Sequence, residues 1–244
     1  MPQVAARLCL VAPVVERRAP LRAARAVRPG RVCRTAVASA TSDVVKEAKT
    51  GLSFPARLRC DDGTELTCLG AGCRSKALLG PIAVNVYGCA LFVDATAARD
   101  ATAACSSVDA CAAALLDGAF HRALLITFAR TVTPQQFLDA LSAELRTRLP
   151  AGTGGEALVA FSVFVNGLTL DKGSSVLLTA RPDGSLEVSA AAPQVTPGAS
   201  PGACFASPPF TRALLSVYLA PDTIVPAARE AWVAGARQLP AAAA

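Results

Sequence analysis

The apolar segment Ile82–Val93 places the strongest limit on how this chain can fold. It is rich in valine and is interrupted by Asn85 and Gly88. Even when it is extended back to Ala77 it includes Pro81, and it stays below the roughly 20 apolar residues that a membrane-spanning helix needs. We therefore predict a buried strand at the centre of a sheet.

Two pairs of short apolar runs predict β-hairpins. The pairs are residues 54–60 with 65–69 and residues 174–180 with 185–190. Asp61-Asp62-Gly63 connects the first pair, and Arg181-Pro182-Asp183-Gly184 connects the second. Turns of this composition are typical of tight connections between antiparallel strands. Residues 120–128 are a further predicted strand, and the Pro- and Gly-rich residues 194–206 are a predicted loop.

Helical patterns separate and follow these strands. The predicted helices are residues 96–104, residues 108–116, the segment after Thr133, residues 156–165, the segment after Ser207, and residues 223–236. Thr133 is a predicted N-cap, with Pro134 in the first turn and Gln136 completing a capping box. Strands first, helices in the middle, then a hairpin and two helices indicate an α+β fold with an antiparallel sheet covered by helices.

The positive charge of the chain is confined to its N-terminal 41 residues. This segment contains eight arginines and one acid, whereas the remaining residues contain sixteen basic and seventeen acidic side chains. An arginine-rich, acid-poor beginning is typical of an organelle transit peptide, and arginines interrupt any apolar run that a secretory signal would need. A plastid address is expected, with a mitochondrial address or a retained basic arm as alternatives. The rest of the chain lacks the basic surface that nucleic-acid binding requires.

Several common catalytic and metal-binding patterns do not occur. The chain has one histidine, His121, and its cysteines include no Cys-x-x-Cys pair, which disfavours a zinc site. A bridge between Cys60 and Cys68 across the first hairpin is left open. Gly70-x-Gly72 lacks the third glycine of a dinucleotide-binding motif, and Lys172-Gly173-Ser174-Ser175 has the wrong order for a phosphate loop. We expect no metal and no cofactor.

Arg74 and Tyr87 are polar residues in an apolar setting. Arg74 follows Gly70-Ala71-Gly72-Cys73, a predicted glycine-rich turn, and Tyr87 lies in the middle of the predicted central strand. A guanidinium can bind a carboxylate through two parallel hydrogen bonds, and a phenol can donate a third. The spacing of the two residues along the chain does not by itself bring them together.

Five segments, in this order, resemble the chalcone isomerase family. They are Gly70-Ala71-Gly72-Cys73-Arg74, Val86-Tyr87-Gly88-Cys89-Ala90-Leu91-Phe92-Val93-Asp94, Phe120-His121-Arg122-Ala123-Leu124, Lys172-Gly173-Ser174-Ser175, and Ser207-Pro208 leading into Ala213–Tyr218. The resemblance extends over roughly residues 52–236. It implies an open-faced β-sandwich, in which a large antiparallel sheet is layered with helices and the ligand lies between the layers.

The same resemblance separates catalytic from non-catalytic members of that family. The isomerases keep an arginine at the position of Arg74 and a threonine at that of Tyr87, whereas the non-catalytic plastid fatty-acid-binding group resembles this chain in having tyrosine there. Phe137 stands where the isomerases have a tyrosine, Glu144 near their asparagine, and Thr211 near a hydroxyl-bearing position. The resemblance therefore implies carboxylate binding by Arg74 and Tyr87 without turnover, with Phe137, Glu144 and Thr211 as possible pocket-lining residues and no catalytic residue.

We accordingly expect a non-catalytic fatty-acid-binding protein of the plastid stroma that takes part in fatty acid metabolism. The expected divisions are a plastid transit peptide at residues 1–41, a linker at 42–51, the chalcone-isomerase-like domain at 52–238 and a disordered tail at 239–244. The expected ligand is a free fatty acid, with no nucleic-acid partner and no integral membrane segment. A chalcone isomerase, which is an intramolecular lyase, and a non-catalytic helper of the flavonoid pathway are the alternatives.

Overall fold

The computed structural model describes residues 44–60, 62–79, 82–193 and 202–240. The predicted transit peptide lies outside these residues. The strands are β1 (Val44–Lys46), β2 (Ser53–Pro55), β3 (Arg57–Arg59), β4 (Glu65–Leu79), β5 (Ile82–Val93), β6 (Arg122–Phe128), β7 (Ser175–Ala180), β8 (Leu186–Ala191) and β9 (Ala203–Phe205). The helices are α1 (Ala95–Thr102), α2 (Val108–Asp117), α3 (Pro134–Arg148), α4 (Gly155–Asn166), α5 (Pro208–Leu219) and α6 (Pro226–Arg237).

Within the described ranges, seven strands form one antiparallel sheet in the order β3-β4-β5-β6-β7-β8-β9, so each strand pairs with its neighbours along the chain. The predicted hairpins β3–β4 and β7–β8 and the predicted central strand β5 are confirmed. β1 and β2 form a separate two-stranded ribbon, and β1 lies within the segment predicted as a linker. Residues 194–206 were predicted to be a loop, but β9 occupies 203–205 and pairs with β8.

The two faces of the sheet are covered differently. The larger apolar cluster lies between the sheet and the helices and includes Leu91, Ile126 and Leu178. The smaller cluster lies on the other face, where Phe54 of the β1–β2 ribbon packs with Phe92 of β5. Because successive strand residues point to opposite faces, the two clusters divide the residues of each central strand between them. The predicted α+β architecture, an antiparallel sheet layered with helices, is confirmed.

The predicted start of α3 is confirmed in atomic detail. The backbone amide of Gln136 donates to Oγ1 of Thr133 at 3.2 Å, and the amide of Thr133 donates to Oε1 of Gln136 at 3.2 Å. Pro134 occupies the first turn. This reciprocal cap satisfies two donors that a helix end leaves unpaired. It fixes where the apolar stripe of α3, which begins with Phe137, meets the sheet.

The segment predicted as a glycine-rich turn before Arg74 is part of a long strand. β4 continues through Gly70 and Gly72 to Leu79, and it pairs with β5 for most of its length. A shift in register at Cys68/Gly70 marks a bulge, where Gly70 has a φ of 141°. Glycine adopts that backbone conformation without the steric penalty of a side chain. The turn prediction was therefore wrong.

Helix α6 lies unusually close to β4 because the strand has no side chain at Gly72. A Cβ atom at Gly72 would lie 2.5 Å from the Cβ and 2.6 Å from the Cα of Ala228. A Cβ atom at Gly235 would lie 1.9 Å from the carbonyl oxygen of Leu69. Nε1 of Trp232 also donates to the carbonyl of Gly70 at 3.0 Å. These contacts hold α6 along its length against residues 69–72 of β4.

Candidate functional site

The register of β4 and β5 brings Arg74 and Tyr87 together. The two residues are directly opposite each other across the antiparallel pair, so their side chains share one face of the sheet. That face is the helix-covered one, because Tyr87 belongs to the larger apolar cluster. The phenol side chain is 5% exposed, and Arg74 is half-buried. Arg74 and Tyr87 are therefore neighbours in the sheet, although their spacing along the chain did not predict a contact.

Arg74 is held by the connection between α5 and α6. Its Nη1 donates to the carbonyl oxygen of Ile224 at 2.9 Å. Ile224 comes just before α6, and α6 is drawn against β4 by the absence of side chains at Gly70 and Gly72. The glycines before Arg74 therefore have an indirect role at the site, since they bring the acceptor of the guanidinium to it.

No acid neutralises Arg74 in the part of the chain that the structure describes. The eight ion pairs formed by those residues all involve other basic side chains. One carbonyl accepts from Nη1, and a guanidinium carries five N–H donors. The site therefore has unused donors and a positive charge, and it would favour an anionic group.

Tyr218 is a third polar residue of the site, and it is not among the site residues predicted from the sequence. Its hydroxyl lies 3.5 Å from the hydroxyl of Tyr87, and its side chain is 1% exposed. Burial raises the pKa of Tyr87 and of Tyr218 well above the ordinary value, and the positive charge of Arg74 acts in the opposite direction on both. Both phenols therefore stay protonated at neutral pH and remain hydrogen-bond donors.

One sequence signal could have identified Tyr218. The chain has two tyrosines, and Tyr218 follows Leu214 and Leu215 on the inward side of a predicted helix. A buried phenol usually requires a hydrogen-bonding partner, so the second tyrosine was the natural candidate for the first. The contact was not predicted, because 131 residues separate the two tyrosines along the chain.

We call the polar end of the site, formed by the side chains of Arg74, Tyr87 and Tyr218, the head of the site. Phe137 lies beside it. Its ring centroid is 6.4 Å from that of Tyr87 and 5.6 Å from that of Phe128, both in edge-to-face orientation. Tyr87 and Phe128 form a third such pair at 6.0 Å. The three rings make a rigid apolar wall next to the phenol hydroxyl. Phe137 is therefore a neighbour of Tyr87, and its role in lining a pocket stays a prediction.

Glu144 and Thr211 are hydrogen-bonded to residues other than Arg74 and Tyr87. The carboxylate of Glu144 is 3.1 Å from Nη2 of Arg148, which also pairs with Asp222. Arg148 lines a separate cleft of about 440 Å³ between α2 and α5. Because Glu144 is engaged there, the structure does not bring it to the head of the site.

Thr211 is buried near the beginning of α5. Its hydroxyl donates to the carbonyl of Ser207 at 3.1 Å, so the helix itself uses this donor. Seven residues separate Thr211 from Tyr218, which places them about two turns apart on the same side of α5. Whether Thr211 lines a ligand pocket stays a prediction from the resemblance.

The remaining sequence candidates do not contribute to this site. Nε2 of His121 lies 3.0 Å from Oδ2 of Asp62, so the histidine forms a surface pair at the β3–β4 turn. Cys68 donates its thiol to the carbonyl of Gly70 at 3.6 Å, so the bridge to Cys60 that the sequence left open is not formed. Within the described ranges, no three His, Cys, Asp or Glu side chains are grouped as a metal ion would require. None of the helices described there has the length and apolarity needed to cross a membrane.

No family model and no curated protein sequence matches the chain at a significant level. Solved structures do match it. The crystal structure of the Arabidopsis thaliana fatty-acid binding protein AtFAP1 superposes with a TM-score of 0.67 at 21% sequence identity, and the match covers 81% of this chain and 98% of that one. At this identity the likeness establishes the fold. The chain therefore has the chalcone-isomerase-like fold, the open-faced β-sandwich that the sequence resemblance predicted.

Proposed function

We propose that this protein binds a free fatty acid without catalysing a reaction. Arg74 and Tyr87 hold the carboxylate, and the alkyl chain lies in an apolar tunnel between the sheet and the helices. The observation that carries the proposal is the cluster of donors around Arg74, for which the described residues provide no acid partner. The name of the matched Arabidopsis protein supports the same ligand class.

The surroundings of the cluster favour a ligand with a long apolar tail. Tyr87 and Tyr218 belong to the same apolar cluster as Phe137, Leu141 and Leu145. Burying about ten methylene groups contributes roughly 8 kcal/mol before the costs of association are subtracted. A carboxylate buried without partners would cost several kcal/mol, and the Arg74 cluster removes most of that penalty. The tail provides affinity and the head group provides orientation.

The phenols of the site favour binding over acid–base chemistry. A general acid or base is most effective when its pKa lies near the working pH, but burial raises the pKa of Tyr87 and Tyr218 away from neutrality. Phe137, next to Tyr87, has no hydroxyl where the isomerases have a tyrosine. These features support a protein that is not an enzyme.

The arginine-rich N-terminal segment supports a place in the plastid stroma. There the protein would take part in fatty acid metabolism by holding free fatty acids away from water and membranes. The chain can be expressed in plant cells as a fusion to a fluorescent protein, with and without residues 1–41, and the compartment that becomes fluorescent tests this location. Fluorescence in mitochondria would contradict it.

We expect the purified protein to carry saturated fatty acids, detectable by native mass spectrometry after gentle extraction. Removing lipid and adding laurate should restore a complex of one laurate per chain. A chalcone should close to its flavanone no faster with the protein than in buffer, because burial raises the pKa of both phenols of the site away from neutrality. Faster cyclisation, or the absence of saturable laurate binding, would contradict the proposed function.

A further inference from the structure

Tyr218 reaches the head of the site from a different layer of the fold. Arg74 and Tyr87 project from the sheet, whereas Tyr218 lies in the last turn of α5. Its ring is almost fully buried in the apolar cluster, and its hydroxyl approaches that of Tyr87. The head of the site is therefore formed from both layers, and three donors converge on it.

The turn after α5 fixes Tyr218 relative to Arg74. Oγ1 of Thr223 donates to the carbonyls of Val217 and Tyr218, at 3.0 and 2.8 Å. The amide of Ile224 also donates to the carbonyl of Val217 at 3.2 Å. The carbonyl of Ile224 in turn accepts from Arg74. One short turn thus sets both the end of α5 that carries the phenol and the acceptor that orients the guanidinium.

The distance between the two hydroxyl oxygens suits a shared acceptor better than a mutual bond. At 3.5 Å it exceeds the usual O–H···O separation of about 2.7 Å, so any bond between the phenols is weak. An oxygen atom can lie about 2.7 Å from both hydroxyls, with an angle of roughly 80° between the two directions. Each phenol provides one O–H donor, and a carboxylate oxygen has two lone pairs and no proton of its own.

The protonation state of the two phenols agrees with this arrangement. Burial keeps the pKa of both hydroxyls raised, so both have a proton to donate at the pH where a fatty acid is ionised. Hydrogen bonds from neutral donors to a charged acceptor are shorter and stronger than those to a neutral one. The arrangement therefore favours an ionised head group.

On the basis of the proposed function, we infer that the hydroxyls of Tyr87 and Tyr218 jointly bind one oxygen of the ligand carboxylate, while Arg74 binds the other. Tyr218 is thus a specificity-determining residue. The site selects free carboxylates over alcohols and methyl esters of the same chain length. An alcohol brings one oxygen and no charge to Arg74, and a methyl ester is likewise uncharged and replaces one carboxylate oxygen by a methoxy group.

Calorimetric titration with laurate and with 1-dodecanol tests this inference. We expect wild-type protein to bind laurate at least about tenfold more tightly than dodecanol. Tyr218→Phe keeps the ring and removes the donor, and it should weaken laurate binding about tenfold or more, as expected for a lost hydrogen bond to a charged group. Dodecanol binding should change less than about threefold in the same variant, because its head group carries no charge.

A double-substitution cycle distinguishes a direct contact from an effect through Tyr87. If both phenols bind the ligand oxygen, Tyr218→Phe still weakens laurate binding when Tyr87 is also phenylalanine. Ser216→Ala is the matched control, since it removes another buried hydroxyl of α5, one that donates to Ala213 and lines the separate cleft. This control should bind laurate as wild type does. Fluorescence of the buried Trp232, the one tryptophan of the chain, reports whether each variant is folded.

The outcomes separate the inference from the proposed function. Unchanged laurate affinity in folded Tyr218→Phe protein would overturn the inference and leave fatty-acid binding intact. Loss of the Tyr218 effect in the Tyr87→Phe background would overturn the shared-oxygen geometry in the same way. Should Tyr218→Phe fail to fold, equal affinity of the wild type for laurate and dodecanol would still overturn the inference. No laurate binding by the wild type would overturn the proposed function itself.

Discussion

Replacing Arg74 by alanine is expected to lower laurate affinity by at least about 100-fold while the fold is kept. The guanidinium supplies the positive charge of the site, and the substitution leaves the carboxylate in an apolar pocket with two phenols alone. Truncating one partner of a hydrogen-bonded, desolvated charge pair typically costs about 2–5 kcal/mol, and 2.8 kcal/mol corresponds to roughly a factor of 100. Calorimetric titration of the delipidated protein with laurate measures the change.

Two variants control for charge and for position. Arg74→Lys keeps the charge but loses the planar fork, so its laurate affinity should lie between those of wild type and the alanine variant. Arg57→Ala removes an arginine from the neighbouring strand β3, where it pairs with Glu65 in an exposed position, and it should leave binding unchanged. An Arg74→Ala variant that binds laurate as tightly as the Arg57→Ala variant would refute the assignment of the head group.

We expect Gly72→Ala to destabilise the protein by about 3 kcal/mol, at the upper end of the range for overpacking a close contact. The added Cβ atom would lie 2.5 to 2.9 Å from the Cβ, Cα and backbone nitrogen of Ala228. A change of rotamer cannot relieve a clash with backbone atoms, so α6 must move away from β4. Urea unfolding followed by fluorescence of Trp232, which contacts Gly70 across the same interface, measures the loss.

The displacement of α6 should also weaken laurate binding, because Ile224 would move away from Arg74. Gly155→Ala is the matched control, since its Cβ atom meets nothing within 4 Å and the residue lies in the first turn of α4. That change should be neutral or stabilise the protein by up to about 1 kcal/mol. Equal stability of the Gly72→Ala and Gly155→Ala variants would show that the close packing of α6 does not control the site.

Local patterns predicted most of the secondary structure. β5 begins and ends where the valine-rich segment does, and the capping box of α3 forms between the residues that the sequence indicated. The turn residues of the β7–β8 hairpin likewise predicted its strands. These features succeed because each is determined by neighbours within a few residues, by a turn, a cap or a run of apolar side chains.

The second half of β4 could not be predicted in that way. Glycine is unfavourable in a strand, so Gly70 and Gly72 indicated a turn. The physical reason for these glycines is the close approach of α6, which lies more than 150 residues further along the chain. A residue selected by a long-range contact gives a misleading local signal.

The candidate site likewise contains residues that the sequence predicted and a residue that only a long-range contact reveals. The family resemblance selected Arg74, Tyr87 and Phe137, and the structure places these residues together. Tyr218 was missed because its contact with Tyr87 joins residues 131 positions apart in the sequence. Glu144 was selected by alignment, but at its position on α3 it meets Arg148 instead of the head of the site.

The most direct test of the account is the ionisation of the bound ligand. Laurate labelled with ¹³C at its carboxyl group can be titrated in complex with the protein by NMR. The charge of Arg74 and the donors around it should lower the carboxyl pKa below that of free laurate, so the bound resonance should keep its ionised shift as the pH falls through the range where the free acid protonates. A carboxyl pKa of bound laurate equal to or above that of free laurate would mean that the cost of burying the charge exceeds the stabilisation by these partners. That result would contradict a carboxylate held by Arg74 and Tyr87.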